Sequence, residues 1–128
     1  SRVDTFDFDR ATGAISNRKP FVTFNEPGVI PDGMTTDEDG GIWVALFGGC
    51  AVRRFDSSGK LTHTVSVPAT QVTSCCFGGA DMSELFITTA QYAMDADSLS
   101  KDPLAGSLFR VQTTFKGSKS NRYGASTS

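Results

Sequence analysis

The amino-acid sequence predicts an all-β fold. Nine short runs of strand-forming residues recur along the 128-residue chain, and each is bounded by Gly, Asp, Asn or Pro. No convincing amphipathic helix precedes about residue 94. Two phrases also repeat with a period in the low forties, and four short strands per period of that length are typical of one blade of a β-propeller. The sequence therefore predicts consecutive propeller blades.

From GMTTD to ELFITTA the predicted strands follow one another with connections of three to six residues. The last strand is an exception, because the polar segment AMDADSLSKDPLA (93–105) precedes it and has room for one helical turn. In chain order the nine runs are VDTFDF (3–8), PFVTF (20–24), GMTTD (33–37), IWVALF (42–47), AVRRFD (51–56), LTHTVSV (61–67), VTSCCF (72–77), ELFITTA (84–90) and SLFRVQ (107–112).

The internal repeat divides the chain into blades. IWVALFGG (42–49) is similar to LFITTAQY (85–92) at an offset of 43 residues, and PDGMTTDEDGG (31–41) lines up with VTSCCFGGADMS (72–83). The predicted division is the end of a blade in 1–26, a complete blade in 27–68, an incomplete last blade in 69–115, and a Ser- and Gly-rich flexible tail in 116–128.

The number of blades is too small for a ring. Propellers usually close with about 4 to 8 blades, and this chain supplies about two and a quarter. An open arc would leave unpaired strand edges on both sides. We therefore expect a companion chain or segment that carries the N-terminal blades. The alternative is that three copies of the chain assemble into one ring.

Composition narrows the classes of partner. The net charge is −2, and the Lys and Arg residues are scattered, which argues against nucleic-acid binding. The sequence contains no run of about 18 apolar residues, so it predicts no membrane span. The three cysteines, Cys50, Cys75 and Cys76, lack the spacing of a zinc site or a disulfide framework. Cys75 and Cys76 should point to opposite faces of a strand. Free thiols favour a cytoplasmic over a secreted location.

The acidic stretch that starts at Asp37 has two interpretations. Three acidic residues followed by two glycines, DEDGG (37–41), could form a calcium loop or a turn between two strands. The EF-hand alignment fails, because Gly40 at loop position 6 places Leu46 at position 12, where a bidentate Glu is required. Asp-Gly between two strands predicts a hairpin turn instead, since Gly takes the positive φ that such turns demand.

Five motifs resemble one known family over about residues 3–112. They are ISNRKPFVTF, IPDGMTTDEDGGIWVALFGG, VRRFDSSGKL, VTSCCFGGADMSELFITTA and GSLFRV, and they are similar to the regucalcin (senescence marker protein), gluconolactonase and luciferin-regenerating enzyme family. The resemblance implies a six-bladed β-propeller, of which this chain would be the last two blades and part of the preceding blade.

The same resemblance implies an activity. Family members hydrolyse sugar lactones or related esters with one divalent metal, commonly calcium. By the resemblance, the metal ligands lie upstream of Ser1, so no catalytic residue and no metal ligand transfers to this chain. Calcium or another divalent metal would be held by residues outside it, and the chain alone should be inactive. The alternative is a non-catalytic propeller that binds a small ligand or a protein through its channel face.

Several residues of this chain could still line a pocket for a small lactone or ester substrate. Asp32 precedes an inner strand and could reach the channel mouth, or its carboxylate could accept backbone N–H groups at a turn. Thr73 and Ser74 occupy the corresponding place in the next blade, where a pocket wall and hydrogen bonding between blades are the two possibilities. We expect His63 to lie on a packed or partly exposed face of its strand. Trp43 should pack between blades, and the alternative is a platform for substrate.

Overall fold

The computed structural model describes residues 1–120 and 124, and this part of the chain is all-β apart from one short helix. Each of the nine predicted strand runs overlaps an observed strand, but the second strand begins at Ile15 rather than at 20, because the exposed residues 15–19 pair with the first strand. The third strand begins at Ile30 rather than at 33. The elements in chain order are β1 (Arg2–Phe8), β2 (Ile15–Thr23), β3 (Ile30–Thr36), β4 (Ile42–Phe47), β5 (Ala51–Phe55), β6 (Leu61–Ser66), β7 (Val72–Gly78), β8 (Glu84–Thr89), α1 (Ala96–Lys101) and β9 (Leu108–Gln112).

The strands form three antiparallel sheets. The sheets have the orders β1-β2, β3-β4-β5-β6 and β7-β8-β9, so each strand pairs with its neighbour in the chain. The three sheets fall within the predicted segments 1–26, 27–68 and 69–115. Their membership in a ring of six blades stays a prediction.

Strand β4 is buried on both faces because it lies between two layers. Trp43 and Ala45 pack toward the third sheet, in a core with Val72, Leu85 and Ile87. The alternate residues of β4 pack the other way, and their core is formed by Val3, Phe24, Val44, Leu46 and Phe55. The near-continuous apolar run IWVALF is therefore a sign of double-sided burial rather than of a half-exposed strand.

The hairpin between β3 and β4 is built by its first acidic residue. The Asp37 carboxylate accepts hydrogen bonds from the backbone N–H groups of Asp39 at 3.1 Å and of Gly41 at 2.8 Å. Gly40 has a φ of +77°, which a residue with a side chain adopts only at a cost. The predicted hairpin turn is confirmed.

Strands β3 and β7 touch at a glycine. A Cβ atom added to Gly33 would lie 2.6 Å from Ser74 Cβ and 2.8 Å from the Thr73 carbonyl oxygen. No side chain fits there, so Gly33 lets the two backbones approach closely. The second and third sheets are thereby held together along their first strands.

The polar segment between β8 and β9 contains the only helix of the described residues. Asp95 caps α1, since its carboxylate accepts from the Ser98 N–H at 2.9 Å. The expectation of one helical turn in 93–105 is met by this six-residue helix. Within residues 1–120, no helix is long and apolar enough to cross a membrane.

The chain after β9 returns to the second sheet. The Glu38 N–H donates to the Lys116 carbonyl at 2.8 Å, and the Gly117 N–H donates to the Met82 carbonyl at 2.9 Å. Residues 116 and 117 are therefore part of the packed structure, although the sequence predicted that the flexible tail begins at 116. Of that predicted tail, 121–123 and 125–128 lie outside the described residues.

Candidate functional site

Strands β3 and β4 have two ends with different chemistry. At one end Ile30 pairs with Phe47, and Phe47 in turn bridges to Gln71, so these residues lie side by side. We call this the Asp32 end, since Asp32 is two residues beyond Ile30. At the opposite end is the hairpin 37–41, which we call the Asp37 end.

Asp32 is exposed at its end of β3. Alternate residues of β3 are exposed, and the register between Pro31 and Met34 is irregular, so Asp32 lies in the unpaired part. Among the described residues, no hydrogen bond or ion pair engages its carboxylate. An exposed carboxylate without a protein partner is free to interact with a ligand or with a group that the described residues do not supply.

The other two candidate residues lie on the neighbouring strand. The Thr73 hydroxyl is 2.8 Å from the Thr88 hydroxyl, in a pair between β7 and β8. Ser74 packs against Gly33, the residue directly after Asp32. The structure thus brings the three predicted candidates onto two adjacent strands, although only Asp32 is exposed.

Asp37 differs from Asp32 both in burial and in the hydrogen bonds that its carboxylate accepts. It is only 4% exposed, and both carboxylate oxygens are engaged. Oδ2 accepts from Arg54 Nε at 2.6 Å and from Trp43 Nε1 at 2.7 Å, while Oδ1 accepts from Arg54 Nη2 at 3.2 Å. The two-pronged geometry is the strong form of an Arg–carboxylate pair. With the amide bonds of the turn, no lone pair faces solvent, so Asp37 is a structural group.

The hydrogen bonds decide the charge of Asp37. Burial alone would raise the pKa of this carboxyl, but the hydrogen bonds from Arg54, Trp43 and the Gly41 amide overcome that effect. The net result is a pKa below the ordinary value of 3.8. Asp37 is therefore ionised at neutral pH and pairs with a permanently charged guanidinium.

Arg54 is enclosed by groups from three parts of the chain. Its Nη1 donates to the Thr62 hydroxyl at 3.0 Å, and its guanidinium carbon lies 4.2 Å from the centroid of the Phe115 ring. Phe115 also contacts the His63 ring edge-on, with centroids 4.6 Å apart. His63 is exposed otherwise, as expected for a strand at the edge of its sheet.

This buried network was not predicted from the sequence, which indicated that Trp43 packs between blades. A signal was present in AVRRF, because Arg54 shares a strand face with the fully buried Val52. A buried Arg needs a carboxylate partner, but several acidic residues lie near strand ends and the sequence does not single out Asp37. No comparable signal placed Phe115, whose position depends on how the chain turns after β9.

The cysteines are separated as predicted. Cys75 is buried, and burial, together with the neighbouring Cys76, raises the pKa of its thiol to about 12. Cys76 is exposed on the opposite face of β7. At neutral pH the Cys75 thiol is protonated and is a packing group rather than a nucleophile.

No metal centre is formed by the described residues alone. Within 1–120 and 124, no three His, Cys, Asp or Glu side chains lie together as a metal-binding group. A calcium ion takes about 6 to 8 oxygen ligands, several of which are usually carboxylates. Asp32 supplies one carboxylate and belongs to no such group, so these residues do not fit a complete calcium site.

Comparisons with known proteins agree with the motifs. The sequence profile of the SMP-30/Gluconolactonase/LRE-like region matches residues 1–91. Regucalcin of Danio rerio is 48% identical over 110 residues, which cover 85% of this chain and 37% of that protein.

Two solved structures share the fold. A calcium-binding protein, regucalcin from Agrobacterium tumefaciens, superposes with a TM-score of 0.88 at 30% identity and covers 97% of this chain and 42% of its own. A gluconolactonase from Xanthomonas campestris superposes with a TM-score of 0.56 at 31% identity and covers 68% of this chain and 27% of its own.

The solved structures indicate the class of protein, and the sequence matches identify the family. The all-β sheets share the fold of a solved regucalcin and a solved gluconolactonase. The chain belongs to the SMP-30/Gluconolactonase/LRE-like family, which confirms the resemblance seen in its motifs. It spans 37% of the length of the Danio rerio regucalcin that it matches.

Proposed function

We propose that this chain is the C-terminal part of a divalent-metal-dependent lactone or ester hydrolase. The observation that carries the proposal is the family membership, since relatives named as a calcium-binding regucalcin and a gluconolactonase share its sequence and its fold. The chain contributes the last two blades and part of the preceding blade of a six-bladed ring. Calcium or another divalent metal is held by residues outside the described chain.

The Asp32 end is the part of this chain that faces the reaction. Asp32 has a free carboxylate there, and Thr73 and Ser74 lie on the adjacent strand. Asp32 is well suited to hold a metal-bound group or a substrate hydroxyl by a hydrogen bond, and Thr73 and Ser74 form part of the wall. This chain supplies support and pocket surface, while the companion supplies the metal ligands.

The companion is a segment or chain that carries the N-terminal blades. Among the described residues β9 is an edge strand, and the Thr113 N–H continues its ladder to Ser83 at 2.9 Å. Because backbone groups alternate along an antiparallel strand, Leu108 and Arg110 direct their N–H and C=O groups to the open side of β9. A further strand would satisfy them.

Apolar surface beside that edge supports the same proposal. A groove between β6 and β9 contains cavities of about 250 and 150 Å³ that share Val65 and Val111 in their walls. On the other face Leu108 is 66% exposed, and Phe8 in the first sheet is 64% exposed. A companion of family sequence would cover these surfaces, as neighbouring sheets cover β4 within this chain.

The test is a reconstitution. The chimera joins the part of Danio rerio regucalcin that precedes the matched region to this 128-residue chain. Hydrolysis of an aldonolactone and of a simple aryl ester is measured for the chimera and for the chain alone, with calcium, magnesium, manganese or zinc and then with a chelator. We expect a cooperatively folded chimera with metal-dependent hydrolysis, and no activity from the chain alone.

Each other outcome counts against part of the proposal. Activity of the chain alone would show that the chemistry does not need a companion. A chimera that folds and binds the lactone without turnover would favour a non-catalytic binding propeller. A chimera that does not fold would contradict the proposed fit between the two parts.

A further inference from the structure

The segment between β8 and β9 (residues 90–107) projects from the Asp32 end. Ile30 pairs with Phe47, Phe47 bridges to Gln71, and the Gln71 side chain holds Tyr92. These three contacts place Tyr92 at the same end of the sheets as Asp32, on the side of the third sheet. The connection was not visible in the sequence, where 93–105 was only a polar segment.

Gln71 fixes the backbone of Tyr92 on both sides. Its Nε2 donates to the Tyr92 carbonyl at 2.8 Å, and its Oε1 accepts from the Tyr92 N–H at 2.7 Å. The Ala90 N–H also donates to the Gln71 carbonyl at 2.9 Å. A side-chain amide that satisfies both backbone groups of one residue leaves that residue little freedom to move.

The remainder of the segment is anchored in the same way. Gln91 Nε2 donates to the Ala105 carbonyl at 2.8 Å and closes the base of the segment, and the Thr70 N–H donates to Asp102 at 2.7 Å. Ala93 has a φ of +53°, an uncommon value for a residue with a side chain. Such conformations persist only where surrounding contacts impose them, and they occur often at binding sites.

The Tyr92 ring packs little against the rest of the protein, although its backbone is anchored. It is 76% exposed, the highest value among the exposed large hydrophobic side chains of the described residues. An aromatic ring on a fixed backbone loses little conformational freedom when it contacts a ligand. Its face suits the apolar C–H surface of a small ring, and its hydroxyl suits a polar substituent.

We propose that Tyr92 is a ligand-contacting residue at the channel mouth and that Gln71 is its positioning residue. The ligand class is a small polyhydroxylated ring such as an aldonolactone. The inference rests on the proposed function for the identity of the ligand. It goes beyond it in assigning part of the recognition to a segment outside the predicted candidates Asp32, Thr73 and Ser74.

The experiment uses the chimera with an aldonolactone as probe. Tyr92→Ala should raise KM about tenfold with kcat within about twofold, since a lost ring contact weakens binding rather than the chemical step. Tyr92→Phe should show a smaller rise. Gln71→Ala should raise KM in the same direction while the ring is retained. Saturation-transfer NMR signals of the lactone ring protons should be weaker with Tyr92→Ala than with the wild-type chimera.

A matched control comes from another exposed apolar residue. Leu61 is exposed on β6, after the turn that begins at Asp56, so Leu61→Ala should leave KM unchanged. If the chimera hydrolyses the lactone and Tyr92→Ala keeps the wild-type KM, the assignment of Tyr92 is wrong and the proposed function stands. If the folded wild-type chimera neither binds nor hydrolyses any lactone, the proposed function itself fails.

Discussion

The two ends of β3 carry acidic residues five positions apart that have opposite fates. Asp37 is buried and accepts hydrogen bonds from Arg54, Trp43 and two turn amides. Asp32 is exposed, and its carboxylate is engaged by no other described residue. Asp37 is therefore a stabilising group, whereas Asp32 carries a charge that no described residue neutralises.

A local cluster of acidic residues is therefore a poor guide to which carboxylate can act on a ligand. The stretch with the greatest acidic density, DEDGG, supplies a turn and one buried ion pair. The isolated carboxylate of Asp32 lies where the segment that bears Tyr92 also projects. Whether a carboxylate can act on a ligand depends on how many of its lone pairs the protein has already used.

The largest effect is expected from Arg54→Ala. It would leave the Asp37 charge buried without its partner, and breaking a buried pair in this way typically costs about 3–5 kcal/mol of unfolding free energy. Urea denaturation of the chain measures the loss. The control is Arg53→Ala, which removes a more exposed pair with Glu26 and should cost about 0–1 kcal/mol. Equal losses in the two variants would contradict the structural role of the Asp37 end.

Asp37→Asn tests the charge of the same group and should cost about 1.5–3 kcal/mol at neutral pH, as expected for hydrogen bonds to a charged partner. The pKa of Asp37 is lower in the folded state than its ordinary value of 3.8. The ionised carboxylate therefore stabilises the fold at pH values above 3.8. That stability is lost as the pH falls below 3.8 and through the folded pKa.

Urea denaturation between pH 7 and pH 3 separates this contribution from those of other carboxylates. Wild-type protein should lose more stability over the acid range than Asp37→Asn, because the variant has already lost the group that titrates. Parallel pH profiles of the two proteins would show that Asp37 does not contribute.

Gly33→Ala should cost about 1–3 kcal/mol, because the added methyl would overlap Ser74 and force β3 away from β7. Gly40→Ala is the matched control, since open space surrounds Gly40 but its φ is positive. That variant should lose about 1 kcal/mol for a conformational reason alone. If Gly33→Ala is as stable as wild type, the close approach of the two strands is not needed.

The smallest effect on stability is expected from Asp32→Asn, within about 0.5 kcal/mol of wild type, because no described residue depends on this carboxylate. In the chimera the same substitution should lower kcat/KM about 10- to 100-fold, the range found for residues that support metal ligands. A large loss of stability, or unchanged kinetics, would reverse the contrast between the two ends.

Much of the fold could be predicted because its signals are local. Alternation of apolar residues and the turn residues between them located the strands, and Asp-Gly in DEDGG located the β3–β4 hairpin. The Arg54–Asp37 pair joins residues 17 apart, one on β5 and one in the β3–β4 hairpin, and the sequence pattern does not specify that contact. The placement of Phe115 over Arg54 was likewise beyond prediction, because it depends on the path of the chain after β9.

The sequence by itself determined the strands, the turn at Asp37 and the family, since each rests on short motifs whose physical causes are local. Only the tertiary structure decided that the Asp37 carboxylate is fully hydrogen-bonded and that the Asp32 carboxylate has no described partner. It also decided that Gly33 lies against Ser74 and that Gln71 holds Tyr92 beside the Asp32 end. Burial and hydrogen-bond partners arise from contacts between residues that are distant in the chain, and no short motif encodes them.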